Sequence, residues 1–294
     1  MEFQLDKIII GHNQFFGVDH MSSERGAKRA QYFSKIKNII DLLHFAIDKG
    51  ATGLMLSTHP RAKEIAKAIL ADPALKDNLN IYILLPYVAK YIRMANEKGM
   101  INMITDALKE ATLKDKIGIA LKGGVGFFKK DQISILKSLI DLEMVPFRGL
   151  KIKTVFLHNN LTDLNLGLGF TSVLHFFNEY IPQKFSCKGG FCTLNFDQLV
   201  KSLSNIDITH PVIMAPFNGA GYQMNPNPKV CEETMLAYPT HTIAMSILAA
   251  GLIKPAEAIG YLKKIPQIKS YVVGASSHDH IVETYTLILD ELGK

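Results

Sequence analysis

Short β-branched runs alternate along this chain with longer stretches in which apolar residues recur every three or four positions. Parallel strands joined by crossover helices require that alternation. Eight strands are predicted. Four fall in the first half, at Lys7 to Gly11 (KIIIG), Gly53 to Ser57 (GLMLS), Asn80 to Leu85 (NIYILL) and Lys116 to Leu121 (KIGIAL). Four more follow at Lys153 to His158 (KTVFLH), Gly190 to Leu194, Val212 to Pro216 (VIMAP) and Ser270 to Gly274 (SYVVG). Helices are expected near Ser34 to Lys49, Arg61 to Ala71, Tyr87 to Lys98, Asp131 to Leu142, Thr171 to Tyr180, Phe196 to Leu203, Thr240 to Ala250 and Asp279 to Leu292. In the first of these, Ile36, Ile39, Ile40, Leu43 and Ile47 share one face, and Gly50 supplies the stop.

Eight such units close into a cylinder more naturally than they spread into an open sheet. The fold class expected is therefore α/β, a (β/α)8 TIM barrel in one domain over residues 1–294. A doubly wound sheet is the alternative. Two connections are too long for simple turns, Asn13 to Gln31 after strand one and Asn218 to Glu232 (NGAGYQMNPNPKVCE) after strand seven. Loops of that length in compact domains are usually functional, and both belong to the end of the barrel where strands finish.

Composition narrows the classes further. The 294 residues are 48% apolar and 20% charged, enough to bury one large core. The net charge of +6 is scattered, without a basic run of the kind that binds nucleic acid. Cys187, Cys192 and Cys231 are too few and too irregular for a disulfide framework. The segment Met1 to Lys7 has no apolar signal core, and no stretch is long and apolar enough for a bilayer. The expectation is a cytoplasmic protein with a small-molecule ligand, no nucleic acid and no membrane; a homo-oligomer is compatible.

Barrel enzymes draw their chemistry from strand ends. That rule collects His12, His59, Lys122, His158, Asn195 and Asn218 as candidate catalytic residues. Three imidazoles and a lysine can serve as acid, base and electrostatic stabiliser, whereas the plainer reading has each histidine merely bonding nearby backbone. Lys122 precedes Gly123, Gly124 and Gly126; it could form a Schiff base or hold an anion. A divalent metal would need His12, His59 and His158 with Asp19 or Asp163, although strand one carries no His-x-His and no helix a His-x-x-x-His. In VGASSHDHIVE, the small residues Gly274, Ala275, Ser276 and Ser277 lead into a helix whose free N–H groups would attract phosphate, unless serine is simply the helix cap.

The C-terminal third, with IPQIKSYVVGASSHDHIVETYTL, resembles the last strand and cofactor-phosphate loop of the aldo-keto reductases. GGFCTLNFDQLVKSL (Gly189 to Leu203) is similar to their strand-five turn and next helix, and VFLHNN (Val155 to Asn160) to the strand that ends in their active-site histidine. The resemblance implies that His158 orients substrate and that Ser276 and Ser277 contact the phosphate of NADP. Other parts of the pattern differ. The family's strand-two Asp-Thr-Ala reads LMLST here, with Met55 or Ser57 in the aspartate's place and no tyrosine-glycine following. Strand three ends in Leu85 and Pro86 instead of lysine, and no arginine follows Ser277. The readings open at this point are an NADP(H) oxidoreductase acting on a small, anionic or phosphorylated molecule, a lyase, aldolase or metal-dependent hydrolase using Lys122 and the histidines, and a non-catalytic ligand-binding barrel.

Overall fold

The computed structural model describes residues 3–19, 21–87, 132–274 and 276–292. Its eight parallel strands pair in chain order and close on themselves. They are β1 (Ile8–Ile10), β2 (Gly53–Ser57), β3 (Asn80–Leu85), β4 (Ile152–Leu157), β5 (Lys188–Cys192), β6 (Val212–Pro216), β7 (His241–Met245) and β8 (Ser270–Val273). Closure is made by β1 against β8, in register Ile8 with Tyr271 and Ile10 with Val273. The described helices are α1 (Ser23–Tyr32), α2 (Ile36–Asp48), α3 (Ala62–Ala71), α4 (Pro73–Asn78), α5 (Gln132–Glu143), α6 (Asn159–Leu168), α7 (Thr171–Phe185), α8 (Phe196–Ser204), α9 (Pro228–Ala237), α10 (Pro255–Leu262) and α11 (His278–Glu291).

Both strand faces are buried, and the two-residue period separates two cores. Ile8, Ile10, Leu54, Leu56, Ile81, Ile83, Val155 and Ile213 point outward into the layer shared with the helices. Ile9, Met55, Tyr82, Leu84, Phe156, Cys192, Met214 and Ile243 fill the interior. The interior has room for Tyr82 and Phe156 because two inward positions lack side chains. A Cβ on Gly190 would lie 2.7 Å from the Phe156 ring, and one on Gly53 would lie 3.0 Å from that of Tyr82.

The barrel differs from the sequence expectation in which segments supply it. Thr240 to Ala250, expected as a helix, contains β7; Ile243 faces the interior and Ala244 the helices. A strand buried on both faces gives an unbroken apolar run, which imitates a buried helix. The expected strand Lys116 to Leu121 and helix beyond Tyr87 lie outside the described residues, and β3 pairs directly with β4. The strands expected as five, six and seven are therefore β4, β5 and β6. The long connection after β1 is ordered into a 3-10 turn, Asn13–Phe16, and α1, while Asn218 to Glu232 follows β6 and ends inside α9.

At the end where strands begin, the Asp6 carboxylate gathers groups from several of them. It accepts from Thr52 Oγ1 at 2.7 Å, Asn80 Nδ2 at 2.8 Å and the Tyr82 hydroxyl, and pairs with Lys153 Nζ at 2.9 Å. Its main-chain carbonyl accepts from Ser270 Oγ. One buried residue thus joins segments at the start of β1, β2, β3, β4 and β8. Removing one partner of a buried pair leaves the other uncompensated. Asp6→Ala is expected to destabilise the fold by about 3–5 kcal/mol in urea unfolding, with Asp6→Asn, which keeps an acceptor for Thr52 and Asn80, losing less.

Candidate active site

At the opposite end, where the strands finish, His12, His59 and His158 come together. His12 follows β1 and is 9% exposed. The Phe16 ring meets it edge-on at 5.4 Å and stacks on His59 at 4.2 Å. Burial, followed by the neighbouring His158 and His59, pushes the His12 pKa down to about 3. Burial also lowers that of His158. Desolvation disfavours a charged imidazole, so both rings are neutral near pH 7.

Local hydrogen bonds settle which nitrogen can carry the proton. His158 caps α6, its Nδ1 accepting the Asn160 backbone N–H at 3.2 Å. His59 repeats the device, with Nδ1 accepting from Arg61 N at 3.2 Å. An accepting Nδ1 leaves Nε2 as the N–H donor of a neutral ring. Arg61 also steadies the β1 connection, donating to the carbonyls of Phe15 at 2.9 Å and Phe33 at 2.8 Å. The position of Phe16 between two imidazoles follows from that brace.

Tyr87 joins this wall, a residue not singled out in the sequence because it reads as the start of a helix. Its ring meets His59 at 5.1 Å, and its N–H donates to Thr58 Oγ1 at 2.9 Å. The sequence signal for it is Pro86, which ends the pairing of β3.

The other candidates have structural duties or lie elsewhere. Asn218 is fully buried, and its amide bonds both the N–H and the carbonyl of Tyr222 at 2.8 and 2.9 Å, closing the loop after β6. Asn195 follows β5, half-buried; its N–H donates to Thr193 Oγ1 and its carbonyl begins α8. Lys122 and Ala275 are outside the described residues. Asp163 is engaged by Thr193 Oγ1 and Leu194 N, and Asp19 by Met21 N, Ser22 N, Arg25 and Arg29. Among the described residues no trio of His, Cys, Asp or Glu is disposed to hold a metal ion, so the mixed nitrogen and oxygen site is not assembled there.

The β8–α11 connection brings Gly274 beside β1, where its added Cβ would meet only Gln14 Oε1 at 3.6 Å. Ser277 is the N-cap of α11, accepting from His280 N, and Ser276 Oγ lies 3.4 Å from His280 Nδ1. The capping reading of the serine is thus realised, while among the described residues no hydrogen bond occupies the first N–H groups of α11 at His278 and Asp279. A separate cleft of about 320 Å³, lined by His210, Tyr238, Thr240 and Gln267 among others, opens where strands begin and contains none of the candidates.

No family model matches this sequence, and no curated protein does. Solved structures match in fold. A structure from Pseudomonas aeruginosa assigned to the aldo-keto reductases is 12% identical, with a TM-score of 0.62, and the match covers 97% of this chain and 90% of that one. The aldo-keto reductase from Klebsiella pneumoniae, in complex with NADPH, is 14% identical with a TM-score of 0.53, covering 96% and 85%. The holo form of an aldo-keto reductase from Bacillus halodurans is 10% identical with a TM-score of 0.56, covering 96% and 86%. What these structures share with the chain, over nearly its whole length, is the fold, a (β/α)8 barrel.

Because the folded-state pKa of His12 lies below its ordinary value of 6.5, the unfolded chain takes up that proton first. Its effect on stability is nil above about pH 6.5 and grows unfavourable as pH falls toward 3. His12→Gln, which cannot titrate, is expected to flatten the loss of stability between pH 6.5 and 4, read as Tm against pH; an unchanged slope would contradict the buried neutral imidazole.

Proposed function

We propose that this barrel is an oxidoreductase of aldo-keto reductase type, transferring hydride between a nicotinamide cofactor and a small carbonyl or alcohol. The observation that carries the reading is His158 at the end of β4, half-buried, neutral and with its Nδ1 engaged, in a barrel whose fold neighbours are aldo-keto reductases. Fold alone does not assign chemistry; the imidazole cluster supplies the argument from the site.

The residues near β8 fit a cofactor phosphate in part. Gly274, Ser276 and Ser277 would hold it, with small side chains and the N-terminus of α11 offering backbone donors. Residues 270–292 include no Lys or Arg, and Asp279 sits in the first turn of α11, so the phosphate would be met by dipoles alone. When bound, the nicotinamide supplies or accepts the hydride.

The protein's own part is to polarise the carbonyl and exclude charge. His158 holds its proton on Nε2, donating a hydrogen bond to the carbonyl oxygen and stabilising the negative charge that develops there. A neutral imidazole does this without bringing a counter-ion into the mouth. His59 offers a second Nε2–H, and Tyr87 beside it supplies a phenol where the sequence lacks the family's tyrosine. The Lys122 Schiff-base reading and the metal-dependent reading have no support among the described residues.

The chain has no tryptophan, so emission from a bound dihydronicotinamide can be followed without that background. Titration with NADPH and NADH is expected to enhance and blue-shift this emission, and neither doing so at millimolar cofactor would sink the proposal. His158→Ala is expected to lower kcat for carbonyl reduction by roughly 10²–10³, as loss of a single oxyanion donor does, while leaving cofactor emission intact.

A further inference from the structure

His12 has a feature that carbonyl polarisation by His158 does not use. Its Nδ1 is buried and has no hydrogen-bond partner among the described residues. Such a group costs about 1–3 kcal/mol when left unpaired, and a buried one calls for a partner such as a ligand, an ion or a water. It stands at the mouth, beyond Gly11, whose carbonyl is already occupied by Gln14 Nε2 at 2.6 Å. The charges felt by His12 are those of His158 and His59, with no carboxylate among them.

We infer that His12 Nδ1 is a substrate contact that hydrogen-bonds an uncharged hydroxyl of the ligand. This rests on the proposed oxidoreductase site and narrows its substrate class. A hydroxyl suits the position whichever ring nitrogen carries the proton, because it both donates and accepts; a carboxylate or phosphate can only accept. An anion buried at this depth needs a paired cation. The nearest arginine of the β2 end, Arg61, is spent on the carbonyls of Phe15, Phe33 and Ser34. The walls are Phe16, His59 and Tyr87, planar faces suited to the C–H side of a polyhydroxylated molecule. The part of the substrate that meets His12 is therefore a neutral hydroxy-carbonyl group, and His12 selects it.

The test uses the whole chain with 15N-labelled histidine and no nicotinamide, so that failure of cofactor binding and failure of this inference are separable. The probe is 1,3-dihydroxyacetone, with its phosphate ester as the anionic comparator. Dihydroxyacetone is expected to shift the His12 Nδ1 resonance and the phosphate ester to bind no better. His12→Ala is expected to weaken dihydroxyacetone about tenfold, the effect of one lost hydrogen bond, and His12→Asn to recover most of it. The wild-type resonance gives the answer even where a variant fails to fold. A Nδ1 signal unmoved by either compound, or moved only by the phosphate ester, overturns the inference.

Discussion

Closure of β1 onto β8 is the constraint on which the molecule depends. Ile8 to Ile10 is short, and it is held on one side by Gly53 and Leu54 and on the other by Tyr271 to Val273. Its hold is reinforced from below by Asp6, whose carboxylate reaches β2, β3 and β4 and whose carbonyl reaches β8. Barrels place their chemistry at one end and their stability at the other, and this chain follows that division. The charged network lies where strands begin, and the uncharged imidazoles lie where they finish.

The mouth is unfavourable to folding in a specific way. His12 is dehydrated, crowded by two further imidazoles and short of a partner for Nδ1. Strain of this sort persists only where the surrounding structure over-determines it. Arg61 and Phe16 supply that determination, the first through carbonyls of the β1 connection and the second by filling the space between His12 and His59. Neutrality of His12 and His158 follows from dehydration.

Much of this was legible in the sequence, for physical reasons that differ by element. KIIIG, GLMLS and NIYILL are bounded by glycine or polar residues and so read plainly as strands. The three histidines were found because each directly follows a strand. β7 was hidden because HTIAM runs on into SILAAGLI, an apolar stretch long enough for a helix. Eight strands close the barrel among the described residues, β7 included, while the strand expected at Lys116 to Leu121 lies outside them. Tyr87 was missed because its placement depends on the turn at Pro86 and on Thr58, a residue of another strand's end. Asn218 looked chemical from its position, and only the tertiary structure shows its amide engaged with Tyr222. The resemblance read in the sequence rested mainly on the C-terminal third, whereas the fold match to a solved structure covers 97% of the chain.

The central claim is that closure brings the ends of β1 and β2 together around one aromatic ring. A NOESY spectrum of protein labelled at phenylalanine and histidine reads this directly. Cross-peaks from the Phe16 ring protons to the rings of both His12 and His59 are expected, as centroid separations of 5.4 and 4.2 Å require. A Phe16 ring with contacts to neither histidine would mean that the mouth is not assembled, and the functional reading would fall with it.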